Sequence, residues 1–255
     1  MSDILIPALT LSIVLLFIHS YFGIEIIKRG IIFTDLSIGQ MAAAGAAVSL
    51  FFFAGQYRYL ISLSFALTTA ILITYATKKE RVSVEGFIGL IYAFGISLIF
   101  IIMSKSPHGL EELNDLLAYD ILFVNMTEVY KTAILYTVLG LFLFVINRFT
   151  AGFLKEMLFF SVFSITITSS VSLAGVFVVF SLLIAPAFMV IQFFSKNLIV
   201  YAVILGSLIN LLAVYVSYDF DLPTGYTIVF FQTFSAIMSS VISFLRKSEW
   251  LSLNK

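Results

Sequence analysis

Gly86-Phe87-Ile88-Gly89-Leu90-Ile91-Tyr92-Ala93-Phe94-Gly95-Ile96-Ser97-Leu98-Ile99-Phe100-Ile101-Ile102-Met103-Ser104 carries no charged side chain over 19 residues. At 1.5 Å per helical residue such a run covers the roughly 30 Å of hydrocarbon in a bilayer. Eight similar runs surround it, placing spans at residues 4–27, 31–54, 59–77, 86–104, 129–147, 157–173, 175–194, 198–217 and 226–245. Strands of a membrane barrel would instead alternate polar and apolar residues. The fold class is therefore all-α, a polytopic integral membrane helix bundle of about 8–9 transmembrane helices. The number turns on Ser169-Ser170-Val171-Ser172-Leu173-Ala174-Gly175, which reads either as a tight turn between two spans or as a break within one.

Composition agrees. Of the 255 residues 61% are hydrophobic and 11% charged, and the mean hydropathy is +1.12, more apolar surface than a soluble core buries. The first run lacks a basic leading segment and a small-residue cleavage site, so it reads as a retained span rather than a signal peptide. With no soluble segment or linker, residues 1–255 read as a single transmembrane domain.

Lysine and arginine set the orientation, because cytoplasmic loops hold the excess of positive charge. With the N-terminal end outside, 11 of the 14 basic residues lie inside, and only Arg58, Lys105 and Lys131 lie outside. Two outer loops gather Glu111, Glu112, Asp115, Asp120, Glu128, Asp219 and Asp221. Those carboxylates either attract cations or a delivery protein, or simply solvate the loops. Acidic and basic residues balance at 14 each, which argues against nucleic acid as a partner.

Several chemistries are excluded by sequence. There is no cysteine, hence no disulfide and no thiolate ligand. No phosphate-binding Gly-x-x-x-x-Gly-Lys-Ser/Thr loop occurs, so the chain has no ATP hydrolysis of its own to offer. Neither His19 nor His108 belongs to a His-Glu-x-x-His pattern, which leaves a zinc-dependent protease unsupported. The expectation is a non-enzyme without a permanently bound cofactor. His19, alone on its span, reads as a hydrogen-bonded packing residue.

Ionisable residues at membrane depth cost about 3 kcal/mol each at the bilayer centre. Glu25, Asp35 and Glu85 are the instances, all within about two turns of cytoplasmic span ends, so they either reach into the interface or serve a pathway. Asp35 is accompanied by Ser37 and Gln40, and hard oxygen donors of this kind suit a weakly held divalent cation in transit. Asp35, Gln40 and Glu85 are the candidate metal-pathway residues. Met41-Ala42-Ala43-Ala44-Gly45-Ala46-Ala47 offers a small-residue face for close helix packing.

Four segments together resemble the ABC-3, or zinc/manganese/iron, permease family: Lys28-Arg29-Gly30-Ile31-Ile32-Phe33-Thr34-Asp35 with Gln40 and Gly45; Val84-Glu85-Gly86-Phe87-Ile88-Gly89; residues 112–122; and Gly175-Val176-Phe177 through Pro186 with Asp221-Leu222-Pro223-Thr224-Gly225. The resemblance implies the membrane-spanning permease subunit of an importer for zinc, manganese or iron, in the inner membrane of a bacterium or archaeon. It implies a homodimer in membrane lipid, a cytoplasmic ABC ATPase that binds ATP, and an extracytoplasmic metal-binding protein. It also implies that residues 112–122 lead into a short re-entrant or interfacial helix.

Two departures stand out. Gln40 occupies the place of a pathway histidine found in members of the family, one residue further from its aspartate. The cytoplasmic segment that engages the ATPase shrinks to residues 148–156, where Arg148, Lys155 and Glu156 are the candidate coupling residues on a short amphipathic turn. That abbreviation keeps an alternative open, an ATP-independent metal carrier or channel derived from the same fold.

Overall fold

The computed structural model describes residues 2–78, 83–106, 111 and 121–253, with side chains described within 5–245. Nine long helices run through these residues: α1 (Ser2–Arg29), α2 (Thr34–Phe53), α3 (Arg58–Ala76), α4 (Val84–Met103), α5 (Met126–Phe149), α6 (Gly152–Ala174), α7 (Val176–Phe193), α8 (Leu198–Asp219) and α9 (Thr224–Leu253). Each is long and apolar enough to cross a membrane. Of the outer segment at 112–122 only Ile121 and Leu122 are described, in a single 3-10 turn, Ile121–Phe123, with Ile121 buried. The expected re-entrant helix, the acids Glu112, Asp115 and Asp120, and His108 lie outside the described residues.

Local chemistry sets the helix ends. Ser83 Oγ accepts from Gly86 N–H at 3.2 Å and Asn125 Oδ1 accepts from Glu128 N–H at 3.0 Å, capping the exposed donors that open α4 and α5. Gly175 ends α6 and begins α7 with φ 79° and ψ 164°, a conformation open essentially to glycine alone. The serine-rich stretch is thus a one-residue break between two spans, which settles the number of described spans at nine. At the α8–α9 corner, Ser217 Oγ donates to the Leu222 carbonyl at 2.7 Å and lies 2.7 Å from Thr224 Oγ1, fastening the turn before Pro223.

Burial divides the helices into a centre and a rim. The apolar windows of α2 and α6 are each 67% buried, against 22% for α4 and 17% for α9, so α2 and α6 are internal columns while α4 and α9 face lipid or another chain. α2 packs on α3, α4, α6 and α7, while α1 packs on α5, α7 and α8, and α9 lies against α7 and α8. Glycines permit the tightest approaches. A Cβ on Gly45 would lie 2.8 Å from the Ile61 carbonyl oxygen of α3, and one on Gly23 would overlap the Leu183 carbonyl of α7. Pro186 sits inside α7, where a Cβ on Gly206 of α8 would meet its ring at 3.0 Å.

The segment 148–156 is not the short cytoplasmic turn expected. Arg148 and Phe149 complete α5, Thr150 and Ala151 are extended, and Gly152 to Glu156 already belong to α6. The charges of Lys155 and Glu156 suggested a loop. Glutamate is a good helix former, and here its charge is also matched: Arg29 Nη1 donates to Glu156 Oε2 at 2.5 Å, tying the end of α1 to the start of α6.

Candidate functional site

Three features lie in sequence along α2, from its C-terminal half toward its N-terminus, the end that the charge pattern assigns to the cytoplasm. An outer cavity of about 240 Å³ is lined by Ala42, Ala43 and Ala46 of α2, Arg58, Tyr59 and Ser62 of α3, and Thr168 and Ser172 of α6. The small side chains that let helices approach are also what leaves this space open. At the other end a cleft of about 590 Å³ is lined by Arg29, Gly30, Ile31, Thr77, Glu85, Glu156 and Phe160 among others. Between Ile31 and Ala42 lies Asp35.

Asp35 is only 2% exposed, and its Oδ1 has no hydrogen-bond partner among the described residues. At 100° per residue, Asp35, Gly39, Ala42 and Ala46 share one face of α2. That face abuts α6 and α7, since a Cβ on Gly39 would lie 3.3 Å from Val176 and 3.7 Å from Ile167 and Val171. The carboxylate therefore stands in the packed barrier between the two openings, about 10 Å along the helix from Ala42. It lies in the first turn of α2, yet is buried among protein atoms.

Gln40 points elsewhere. Five residues on, it is about 140° around α2 from Asp35. It faces α4, where a Cβ on Gly95 would lie 3.2 Å from Gln40 Cβ, and Ser37 on the same side donates to the Ile88 carbonyl at 2.7 Å. Gln40 is fully buried, and neither of its side-chain polar atoms has a partner among the described residues. Glu85, in the first turn of α4, accepts from Phe33 N–H at 3.3 Å through Oε1 and leaves Oε2 unpartnered beside the inner cleft. The three predicted pathway residues thus occupy two faces of α2 and the inner mouth, not one cage. Among the described residues no three His, Cys, Asp or Glu side chains come together as a metal-holding group.

The inner mouth is ionic. Besides Glu156, Arg29 approaches Glu25 at 3.8 Å and lies 4.1 Å above the Phe159 ring, while Lys28 approaches Glu25 at 4.0 Å. Of the predicted coupling residues, Arg148 is exposed, Lys155 is half-buried and Glu156 is held by Arg29.

Sequence reasoning passed over an amide pair inside the membrane. Gln232 Nε2 of α9 donates to Asn210 Oδ1 of α8 at 2.7 Å and to the Gly206 carbonyl at 3.0 Å. The available signal was a lone amide in each of two apolar runs. His19 donates through Nδ1 to the Leu15 carbonyl at 2.8 Å, while its buried Nε2 has no partner among the described residues.

Nine apolar spans among the described residues, packed around buried polar groups, define a polytopic membrane protein. The chain belongs to the ABC 3 transport family, whose description it matches over residues 1–243. It is 24% identical to the manganese transport system membrane protein MntC of Listeria monocytogenes, over 95% of this chain and 94% of that one. It is 23% identical to a probable iron transport system membrane protein of Haemophilus influenzae, over 94% and 90% of the respective chains. In fold it is similar to PsaBC from Streptococcus pneumoniae, solved in complex with a Fab, with a TM-score of 0.71 and 21% identity over 92% of this chain and 90% of that one.

Proposed function

We propose that the chain is the membrane-spanning permease subunit of an importer for a divalent metal ion, working as a homodimer in the plasma membrane. A metal-binding protein delivers the ion to the outer face, and a separate ABC ATPase supplies the energy from the cytoplasmic face. The carrying observation is Asp35, a buried carboxylate with an unpartnered oxygen, in the barrier between the outer cavity and the inner cleft. A charge so placed is costly unless a cation passes it. Gln40 and Glu85 add oxygen donors on the α4 side and at the inner mouth.

Hard oxygen donors suit manganese, iron and zinc alike. Membership of the ABC 3 transport family, and relatives named for manganese and iron transport, support a metal cargo and bring those two ions forward. The permease passes its ion between transient sites while rigid helices rock between outward- and inward-open states. It makes and breaks no covalent bond. Exposed Arg148 and half-buried Lys155, beside the short link at Thr150 and Ala151, offer the nearest surface for the ATPase.

The test is uptake of manganese, iron and zinc by the native cells with and without the ABC ATPase that a pull-down from their membranes identifies. Uptake that requires the ATPase, and an ATPase that co-purifies, are the expected results. Uptake that ignores the ATPase would overturn the coupled importer. The brevity of the α5–α6 link favours the second reading, an ATP-independent carrier, and metal flux into ATP-free liposomes would establish it.

A further inference from the structure

We propose that the groove between α1 and α5 is a binding site for one phospholipid with an anionic headgroup, its acyl chain in the groove and its phosphate at the cytoplasmic end. The groove holds about 520 Å³ and is built from two helical stripes, Phe17, Ile18 and Tyr21 on α1 and Gly140, Phe144 and Asn147 on α5. Both repeat at three- and four-residue spacing, so each stripe is one helix face. The floor is buried, with Ile18, Tyr136 and Leu143 each below a tenth exposed, while the rims Phe17 and Phe144 stand 59% and 67% exposed. It is a furrow open at its side, and a flexible apolar chain lying along it supplies the floor with dispersion contacts.

Gly140 gives the furrow its depth. A Cβ there would meet no atom within 4 Å. From Ala133 to Asn147 the furrow runs about 21 Å, more than the roughly 15 Å of one leaflet, a length that suits an acyl chain lying along the helices. At its cytoplasmic end Asn147 Nδ2 donates to the Tyr21 hydroxyl at 2.7 Å, closing the floor with polar groups.

Charge at that end selects the headgroup. Beyond the furrow's lining, the α1 stripe continues at the same angle past Tyr21 to exposed Lys28, which also borders a neighbouring cleft with Ser195 and Asn197, and exposed Arg148 follows Asn147 on α5. The acid on this stripe, Glu25, already faces Lys28 at 4.0 Å and Arg29 at 3.8 Å. A basic end on an apolar furrow complements an anionic lipid and gives a zwitterionic one less.

The experiment compares the purified chain in detergent with added phosphatidylglycerol or phosphatidylcholine, reading the melting midpoint and the lipid retained after detergent exchange. The wild type is expected to melt about 4 °C higher with phosphatidylglycerol than with phosphatidylcholine and to retain about one phosphatidylglycerol per chain. Gly140→Leu puts a side chain into the furrow, where its Cβ meets no atom within 4 Å, and is expected to abolish both effects. Lys28→Gln is expected to keep a retained lipid but lose the preference between headgroups. Equal shifts with the two lipids, or an unchanged phosphatidylglycerol shift in Gly140→Leu, overturn the proposal. So does a change of oligomeric state in Gly140→Leu with no lipid effect, since the furrow would then seat a second copy of the chain. Should Gly140→Leu fail to fold, wild-type retention and the Lys28→Gln comparison decide the matter alone.

Discussion

Asp35 carries an energetic cost that its surroundings do not offset, and that makes it informative to replace. Asp35→Asn keeps the shape and removes the charge, so metal uptake is expected to fall about tenfold or more. The melting midpoint of the purified chain should stay level or rise, because an unpaired buried carboxylate costs at least about 1–3 kcal/mol. Uptake assays beside thermal unfolding separate the two effects. Gly175 shows the reverse pattern. Gly175→Ala should cost about 1–3 kcal/mol, since φ 79° and ψ 164° exclude a Cβ, and should be visible as a lower melting midpoint. Sequence made Asp35 and Gln40 legible as polar residues in apolar runs. It did not tell that one faces α6 and α7 and the other α4, because facing is fixed by which neighbours arrive. The amide pair Asn210 and Gln232 was illegible for the same reason: two ordinary side chains, 22 residues apart, acquire meaning only when α8 and α9 meet.

At the scale of elements, hydropathy succeeded where the bilayer alone sets the length. The run at 86–104 became Val84–Met103, and 198–217 became Leu198–Asp219. It fell short at α6, expected from residue 157 and found from Gly152, because charges read as loop when their partners are distant in sequence. Glu156 is a good helix former whose charge is matched by Arg29, 127 residues away. Helix contacts of zero clearance give a sharper prediction. Gly23→Val and Gly45→Val should each force α1 from α7, or α2 from α3, and cost about 1–3 kcal/mol or more. Gly140→Ala, which meets nothing within 4 Å, should leave the melting midpoint level or raised. Size-exclusion profiles after graded heating distinguish these cases.

For the whole molecule, the bond between Arg29 and Glu156 joins two helices that flank the inner cleft. A double-mutant cycle with Arg29→Ala and Glu156→Ala should yield a coupling of about 1 kcal/mol at low salt, smaller at high salt, since both side chains are partly exposed at 24% and 33%. Metal uptake measured on the same four chains would show whether this bond also regulates the cleft.

A single buried residue joins α6 to α7, and that junction has the geometry of a fulcrum. The two helices have no slack with which to part there, so any relative motion must be a swing about Gly175. Over the 23 residues of α6, about 35 Å, a swing of ten degrees displaces the far end by about 6 Å. The longest lever arm is the far end of α6, which carries Lys155 and Glu156 and which Arg29 ties to α1.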